Sequence, residues 1–436
     1  MPYDGRFIWR KNDSVSVVDA KWVSRHQGTR EEFLERYQKL AASAAEQKLI
    51  GLRKIAPELL RLISDDRTLH AAWKHLQENG SHVPGSDGVR YGDFPPSTVW
   101  KYLRDIRDEI RAGNFALQDE QVVRIPKGPG RGFRELVVQS IFDRVVQRAV
   151  VEILQPLLDP LFDPRSFGFR PKQGPLRALA TAEQLYKEYG SRVWVSVDIK
   201  NAFPNVPVGR LLGVLRKYLP DDDLLYFIET VTRPEKRPGL RQGSPLSPLL
   251  LNLYLHHLLD RKWRTQHPEL PLLRFADDIL VMCRTPNRAR KAYAALTTLM
   301  RDAGLELKEP LEQAVKRVSR GDELVWMGFG IRRSGYGLAY TVTEDAWAGL
   351  REKLESAHLK PLTPLAALAT LRGWIADKGP CFPHADTKRA AERISELAKA
   401  QGFEEMPEAY EITAYWQRAY ARWCKLRRKV ATETVR

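Results

Sequence analysis

Three carboxylates set in two short apolar runs are the residues of this chain best suited to chemistry. Asp198 closes Val193-Trp194-Val195-Ser196-Val197, and Asp277-Asp278 interrupts a run from Leu272 to Met282. Runs this short and rich in β-branched residues suit buried strands, with the Asp pair at the tip of a hairpin. Taken singly, an Asp-Asp pair is most often a solvated turn, and an Asp at a strand end is most often a cap. Buried strands seldom carry adjacent charges, because isolated ionised groups are costly to desolvate. Brought together on one sheet face, the three would offer the hard oxygen ligands that Mg²⁺ prefers. Two ions so held can activate an attacking 3′-hydroxyl and stabilise a leaving pyrophosphate. Bound cations would also offset the repulsion within the acidic cluster.

The elements that must position these groups follow from periodicity and punctuation. Residues 1–30 are polar and irregular. Arg30 to Leu62 reads as helix, with Phe33, Leu34, Tyr37, Leu40 and Ala41 at three- and four-residue spacing. Ser64-Asp65-Asp66 starts another helix, Pro84 to Gly88 is a turn cluster, and Trp100 to Arg111 is helical. Val122 to Val138 reads as a hairpin around a glycine-rich turn carrying Lys127, Arg131 and Arg134. Such a turn can close over a triphosphate, since glycine permits close approach and cations neutralise charge. A solvated basic turn is the equally simple reading. Asp143 to Leu158 is an amphipathic helix, and Ser166 to Lys172 is a basic, aromatic loop.

Asp221-Asp222-Asp223 looks like a metal site but precedes Leu224, Leu225, Phe227 and Ile228, so helix capping explains it better. Arg241 to Pro248 is a turn that opens a helix to about Trp263. Residues 286–303 are helical, and Leu324 to Ile331 reads as one strand with a glycine break. From Thr343 the chain is a run of helices ending in the basic segment Arg418 to Lys429, beside Tyr415, Trp416, Tyr420 and Trp423. Basic and aromatic residues so mixed suit a grip on a nucleic-acid backbone; a packed bundle with a basic surface is the plain alternative.

Bulk properties narrow the class. The 436 residues are enough for two or three domains, and 70 Lys and Arg against 54 Asp and Glu leave a formal charge of +16. That excess favours a polyanionic partner. Cys283, Cys381 and Cys424 are scattered, giving neither a disulfide framework nor a zinc spacing, so a reducing, cytoplasmic setting is expected. The N-terminus lacks the apolar core of a signal peptide. No run approaches the roughly 18 apolar residues of a membrane span; Pro248 to Leu259 is broken by Asn252, His256 and His257.

Several motifs occur in one order. Pro84-Gly85-Ser86-Asp87-Gly88-Val89 is followed by Ile125-Pro126-Lys127 with Arg134, Asp143-Arg144-Val145-Val146-Gln147, and Ser166-Phe167-Gly168-Phe169-Arg170-Pro171. Then come Asp198-Ile199 through Phe203, Arg241-Gln242-Gly243-Ser244-Pro245-Leu246-Ser247-Pro248 with Asn252, Phe275-Ala276-Asp277-Asp278, and Trp326-Met327-Gly328-Phe329. On these, the chain resembles the reverse transcriptases, most nearly the bacterial ones of the group II intron lineage, over roughly Gly85 to Gly330.

The resemblance implies an α+β, right-hand polymerase fold with fingers, a palm whose antiparallel sheet carries the acidic site, and a thumb. The N-terminal region and the thumb would be mostly helical. Its divisions would be a helical extension at 1–80, fingers at 81–190, palm at 191–335 with fingers residues interleaved, and thumb at 336–436. Asp198, Asp277 and Asp278 would be catalytic. With the Ile199 carbonyl they would hold two Mg²⁺ ions, Mn²⁺ being a substitute. Lys127 and Arg134 would hold the triphosphate, Gln242 and Gly243 would line the nucleotide pocket, and Phe203 would exclude a ribose 2′-hydroxyl. Arg170, Lys172, Gly328, Arg418 and Arg422 are the expected nucleic-acid contacts.

Three positions depart from the family pattern: Phe275 replaces Tyr, Glu135 replaces Pro, and Leu311 stands where relatives place a lysine thought to protonate pyrophosphate. Lys308 is the nearby substitute. The partners implied are a structured non-coding RNA template, a cDNA product and deoxynucleoside triphosphates, with no membrane and with a homo-oligomer left open. The chain has no zinc-binding or His-Asn-His-type nuclease module after the helical run, so a stand-alone enzyme of antiphage defence is expected. An intron maturase and a non-catalytic RNA-binding scaffold are the alternatives.

Overall fold

Strand alternation, helix caps and one π segment account for how this chain presents its acids. The computed structural model describes residues 52–80, 83–126, 132–232, 238–318, 323–335, 337–358, 363–384, 386–404 and 406–434. Most of the helix expected over Arg30 to Leu62, and both Lys127 and Arg131, lie outside the described residues. The fold is α+β with antiparallel sheets, and it divides into two compact units.

The first unit comprises the described residues up to Leu161 together with Phe203–Leu253. It packs helices Asp66–Asn79, Pro96–Arg111, Ile141–Leu158, Val208–Tyr218 and Asp222–Thr232 with a hairpin of β1 (Gln121–Pro126) and β2 (Phe133–Val138). Side chains cap the starts of three of these helices, two of them where the sequence reading expects a cap and the third at Ser140, which it did not single out. Asp65 accepts from the Arg67 N–H (3.0 Å), Ser140 Oγ from the Asp143 N–H (3.1 Å), and Asp221 Oδ1 from the Leu224 N–H (2.8 Å). The triple Asp221-Asp222-Asp223 is thus a helix start. Pro96 begins the helix expected from Trp100, because its fixed φ suits the first turn. Trp73, Phe94 and Phe142 meet largely edge to face in the core, with ring centroids 5.3–5.9 Å apart.

The second unit comprises Phe162–Ala202 and Tyr254–Arg436. Its main sheet has the order β4–β5–β3–β6, all antiparallel, from β3 (Val193–Asp198), β4 (Leu272–Phe275), β5 (Asp278–Cys283) and β6 (Val315–Arg317). Val193, Val195 and Val197 point to one face, where the helix Pro286–Asp302 packs. Trp194 points to the other and joins the core with Leu280, Met282 and Trp326. A second sheet runs β7 (Leu324–Trp326), β8 (Phe329–Ser334), β9 (Gly337–Val342). Helices Glu344–Ala357, Thr363–Asp377, Thr387–Ala400 and Ala409–Thr434 follow, packed through Trp347, Trp374, Ile394, Trp416 and Trp423.

Two sequence expectations change here. Leu324 to Ile331 is two strands, not one, because Met327 and Gly328 both take positive φ (49° and 72°) and reverse the chain in a two-residue turn. The helix from Ser247 does reach Gln266, but residues His256–Asp260 are wound as a π segment, a feature that periodicity cannot reveal. No helix among the described residues is long and apolar enough to cross a membrane.

Candidate active site

The sheet of the second unit builds the acidic cluster by register. Asp198, last in β3, is the direct cross-strand partner of Asp278, first in β5. Side chains of paired residues share a face and stand close, so two like charges here repel. Asp277 occupies the β4–β5 turn, where its carbonyl accepts from the Ile199 N–H at 3.1 Å. The pair therefore does not sit together at a hairpin tip: Asp277 is at the tip, while Asp278 belongs to the strand and accepts from the Trp326 indole N–H at 3.0 Å. Burial and then the charge of Asp198 push the Asp277 carboxyl up to about 6. Burial, with Asp198 and Asp277 beside it, pushes Asp278 well above the usual carboxylate range. A cluster that resists ionising in this way is completed by added positive charge.

The protein supplies one such charge. Lys308 Nζ lies 3.4 Å from Asp198 Oδ2 and 3.4 Å from Glu309 Oε1. Burial would lower its ammonium, but Asp198 and Glu309 outweigh that and raise it. The segment is held there by backbone pairing: the Lys308 N–H donates to the Asp198 carbonyl (2.9 Å), the Lys200 N–H to the Glu306 carbonyl (2.9 Å), and Glu309 Oε2 accepts from the Asp198 N–H (2.8 Å).

A buried arginine braces the turn. Arg274, fully buried, makes a bidentate pair with Asp260 at 3.0 and 2.7 Å and donates from Nη1 to the Ala276 carbonyl at 2.8 Å. Its backbone is tied to the 163–170 loop, the Phe167 N–H donating to its carbonyl and its own N–H to that of Arg165. His256 sits nearby as a neutral acceptor, its Nδ1 receiving the Asp163 N–H at 3.3 Å; burial and then Arg274 push it down to about 3.

Gly168 closes the brace from the other side. A Cβ at this position would stand 2.2 Å from the Ala276 nitrogen and 2.9 Å from its Cα. Both are backbone atoms of the turn that presents Asp277, so neither can yield without moving it. Gly168→Ala is expected to cost roughly 1–3 kcal/mol by overpacking and to reduce catalytic turnover more than nucleic-acid affinity. Turnover and affinity measured on one preparation check this; unchanged turnover would free the turn from that contact.

The described residues expected on the nucleotide side belong to the first unit. Gln242 and Gly243 form a turn whose Gln242 carbonyl accepts from the Val137 N–H (2.8 Å), and a Cβ on Gly243 would stand 2.5 Å from the Val137 carbonyl oxygen. Arg241 pairs with Glu120 at 3.0 Å, and Ser244 Oγ donates to Gln147 Oε1 (2.7 Å), fixing both flanks. Phe203 is half-buried and accepts through its carbonyl from the Leu240 N–H at 2.8 Å. Arg134 is exposed on β2 opposite Ile125.

The nucleic-acid candidates fall in three places, all in the second unit. Arg170 turns back on its own loop, donating to the Asp163 and Ser166 carbonyls at 2.7 Å each, whereas Phe169 (φ 56°) and Lys172 (φ 60°) stay exposed. Gly328 lies in the β7–β8 turn. Arg418 and Arg422 share an exposed stripe of the helix Ala409–Thr434 with Lys425 and Lys429.

Sequence reading gave Arg274, Asp260, Gly168, Trp326 and Glu309 no role in this site. Gly168 and Trp326 stand within motifs quoted above, and Arg274 is a charged residue inside a four-residue apolar strand directly before the acids; Asp260 and Glu309 left no comparable signal. Among the described residues, no three His, Cys, Asp or Glu side chains are gathered as a ready-made metal cluster. The donor chemistry still fits divalent ions, because the carboxylates of Asp198, Asp277 and Asp278 are hard oxygen donors, and the charge of Asp198 opposes ionisation of the other two.

Residues 125–317 match a family described as "Reverse transcriptase (RNA-dependent DNA polymerase)". The chain is 28% identical over 235 residues to Protein YkfC of Escherichia coli K12, covering 51% of this chain and 60% of that protein. It is 28% identical over 236 residues to the group II intron-encoded protein LtrA of Lactococcus lactis subsp. cremoris, covering 50% and 38%. The matched region thus spans less than two thirds of either relative. A solved Cas6-RT-Cas1–Cas2 complex aligns with a TM-score of 0.35 at 15% identity, covering 84% of this chain and 50% of that one.

Proposed function

We propose that this chain, whose residues 125–317 match the reverse transcriptase family, is an RNA-directed DNA polymerase, extending a DNA primer on an RNA template. The observation that carries the reading is the convergence of three acids: Asp198 pairs across the sheet with Asp278, Asp277 lies in the adjoining turn, and burial with the neighbouring charges raises the carboxyls of Asp277 and Asp278. Divalent ions held there, Mg²⁺ or Mn²⁺, would supply activation of the 3′-hydroxyl and stabilisation of the leaving pyrophosphate. Asp198 and Asp277 are their assigned ligands, joined by Asp278 and the Ile199 carbonyl. Lys308, already beside Asp198, is the assigned donor of a proton to pyrophosphate. Lys127 and Arg134 would hold the triphosphate, Gln242 and Gly243 would line the base and sugar, and the Phe203 ring would fill the space of a 2′-hydroxyl.

In this reading the β1–β2 hairpin belongs to fingers (81–190), the four-stranded sheet to palm (191–335), and the helices from Glu344 to thumb (336–436). Residues 162–190 nevertheless pack within the unit that holds the sheet. Arg418 and Arg422, on one exposed helical stripe, suit a phosphate backbone. The setting we read is antiphage defence on a dedicated non-coding RNA, in the cytoplasm. The match to LtrA favours a second reading, an intron maturase, and RNA and cDNA recovered with the protein from its host decide between them.

The direct test is extension of a DNA primer annealed to RNA. Wild type is expected to add deoxynucleotides and to stop when divalent ions are chelated; failure to extend overturns the reading. Phe203→Val should raise ribonucleotide incorporation by about tenfold or more, as relief of a steric clash worth roughly 1–3 kcal/mol. Unchanged sugar selectivity would remove Phe203 as the gate.

A further inference from the structure

Trp326 reaches the acidic site from a different sheet, and no step above uses it. Side chains two apart on a strand share a face, so Asp278 stands on the same face of β5 as Leu280 and Met282. Their cross-strand partners on β3 are Asp198, Ser196 and Trp194. This face is therefore apolar at one end and closes in two acids at the other. Trp326, last in β7 and 1% exposed, belongs to the same core as Trp194, Leu280 and Met282.

An apolar ring would satisfy that packing; an indole adds a donor. Its Nε1–H donates to Asp278 Oδ1 at 3.0 Å. Tryptophan joins a large apolar body to one neutral donor and carries no acceptor to repel a carboxylate. The neutrality matters, because a second cation beside the acids would compete with a divalent ion, whereas Lys308 already stands 3.4 Å from Asp198 Oδ2. The indole is itself held, since Trp326 pairs with Phe329 across the Met327–Gly328 turn. Among the described residues, no other hydrogen bond reaches the Asp278 carboxylate. An Asp carboxylate rotates broadly about χ2, so this one bond decides how it faces.

We propose that Trp326 is a positioning residue of the metal site: its indole N–H fixes Asp278 Oδ1, so that Oδ2 alone is offered to a divalent ion. The assignment deepens the polymerase reading and rests on it for what the ion does. It also makes the β7–β8–β9 sheet a support of the acids, tied to them through one side chain.

The test is titration of the full chain with Mn²⁺, without nucleotides or nucleic acid, reading the free ion by electron paramagnetic resonance. Trp326→Phe is compared with Trp326 replaced by 3-benzothienylalanine, a tryptophan isostere of similar size that lacks the N–H. Trp326→Phe also leaves a void, so the isostere is the variant that separates orientation from packing. Both should weaken Mn²⁺ binding about tenfold, the scale of losing a partner that orients a metal ligand. Asp278→Asn should weaken it as well, and adding the isostere to that variant should bring no further loss. Unchanged or tighter binding by the isostere, or losses that add, overturn the assignment. Because no synthesis is required, coupled losses in a protein that fails to extend a primer would overturn the polymerase reading alone.

Discussion

Asp277→Asn is expected to lower single-nucleotide incorporation by three orders of magnitude or more, about 4 kcal/mol in the barrier. The same variant should be more stable than wild type without divalent ions. Asp277 stands in a cluster where burial and Asp198 already oppose its charge, so a neutral amide of the same shape relieves repulsion that the native chain carries. Added Mg²⁺ should then raise the thermal midpoint of wild type more than that of the variant, since binding to the folded state stabilises it by mass action. Incorporation rates and melting with and without Mg²⁺ check both halves. Activity within tenfold of wild type would remove Asp277 from the machinery. A lower midpoint in the absence of metal would show that its carboxylate holds the turn together.

Arg274→Met is expected to cost roughly 3–5 kcal/mol in stability, because it leaves Asp260 as an uncompensated charge in the core. Replacing both partners, Arg274→Met with Asp260→Leu, should recover most of that loss, since apolar groups of similar volume often substitute well for a buried pair. Activity should not return with it. The Ala276 carbonyl would still lack its donor, and the turn that presents Asp277 would be free to shift. A misplacement on the order of 1 Å can reduce rate about a hundredfold. Urea midpoints with turnover and primer–template affinity, on both variants, separate the two roles. Recovery of turnover in the double variant would show that Arg274 only balances charge.

The strands and helices that carry the acids were legible because burial imposes periods that sequence records directly. The end of β3, the β1–β2 hairpin and the cap at Asp221 follow from short apolar runs, from a glycine-rich turn between them, or from polar residues preceding an apolar stretch. The difference between Asp277 and Asp278 was not legible. Both are the same residue type in adjacent positions, and only the register of β5 against β3 makes one a strand residue facing Asp198. The split of Leu324 to Ile331 escaped for a similar reason, since an apolar run does not show that Met327 adopts positive φ. Arg274 was visible as an oddity without a meaning. Its partner Asp260 is the last residue of a π segment that displaces the helical periodicity by which the two could have been connected.

The contact between Gly168 and Ala276 carries a consequence for how this site can drift over generations. Ala276 adopts φ 58°, a conformation that costs an L-residue roughly 1–2 kcal/mol and that glycine would adopt without strain. A glycine there would relieve the turn but enlarge the number of backbone states open to the residue preceding Asp277. Its methyl is instead kept against Gly168, where a Cβ would stand 2.9 Å from the Ala276 Cβ. The two positions are therefore not interchangeable by single steps: gaining a methyl at 168 creates a collision, and losing one at 276 leaves a gap and a looser turn. A lineage could exchange them only by passing through one of these poorer states. That barrier opposes single-step change at both positions, although neither carries a reacting group.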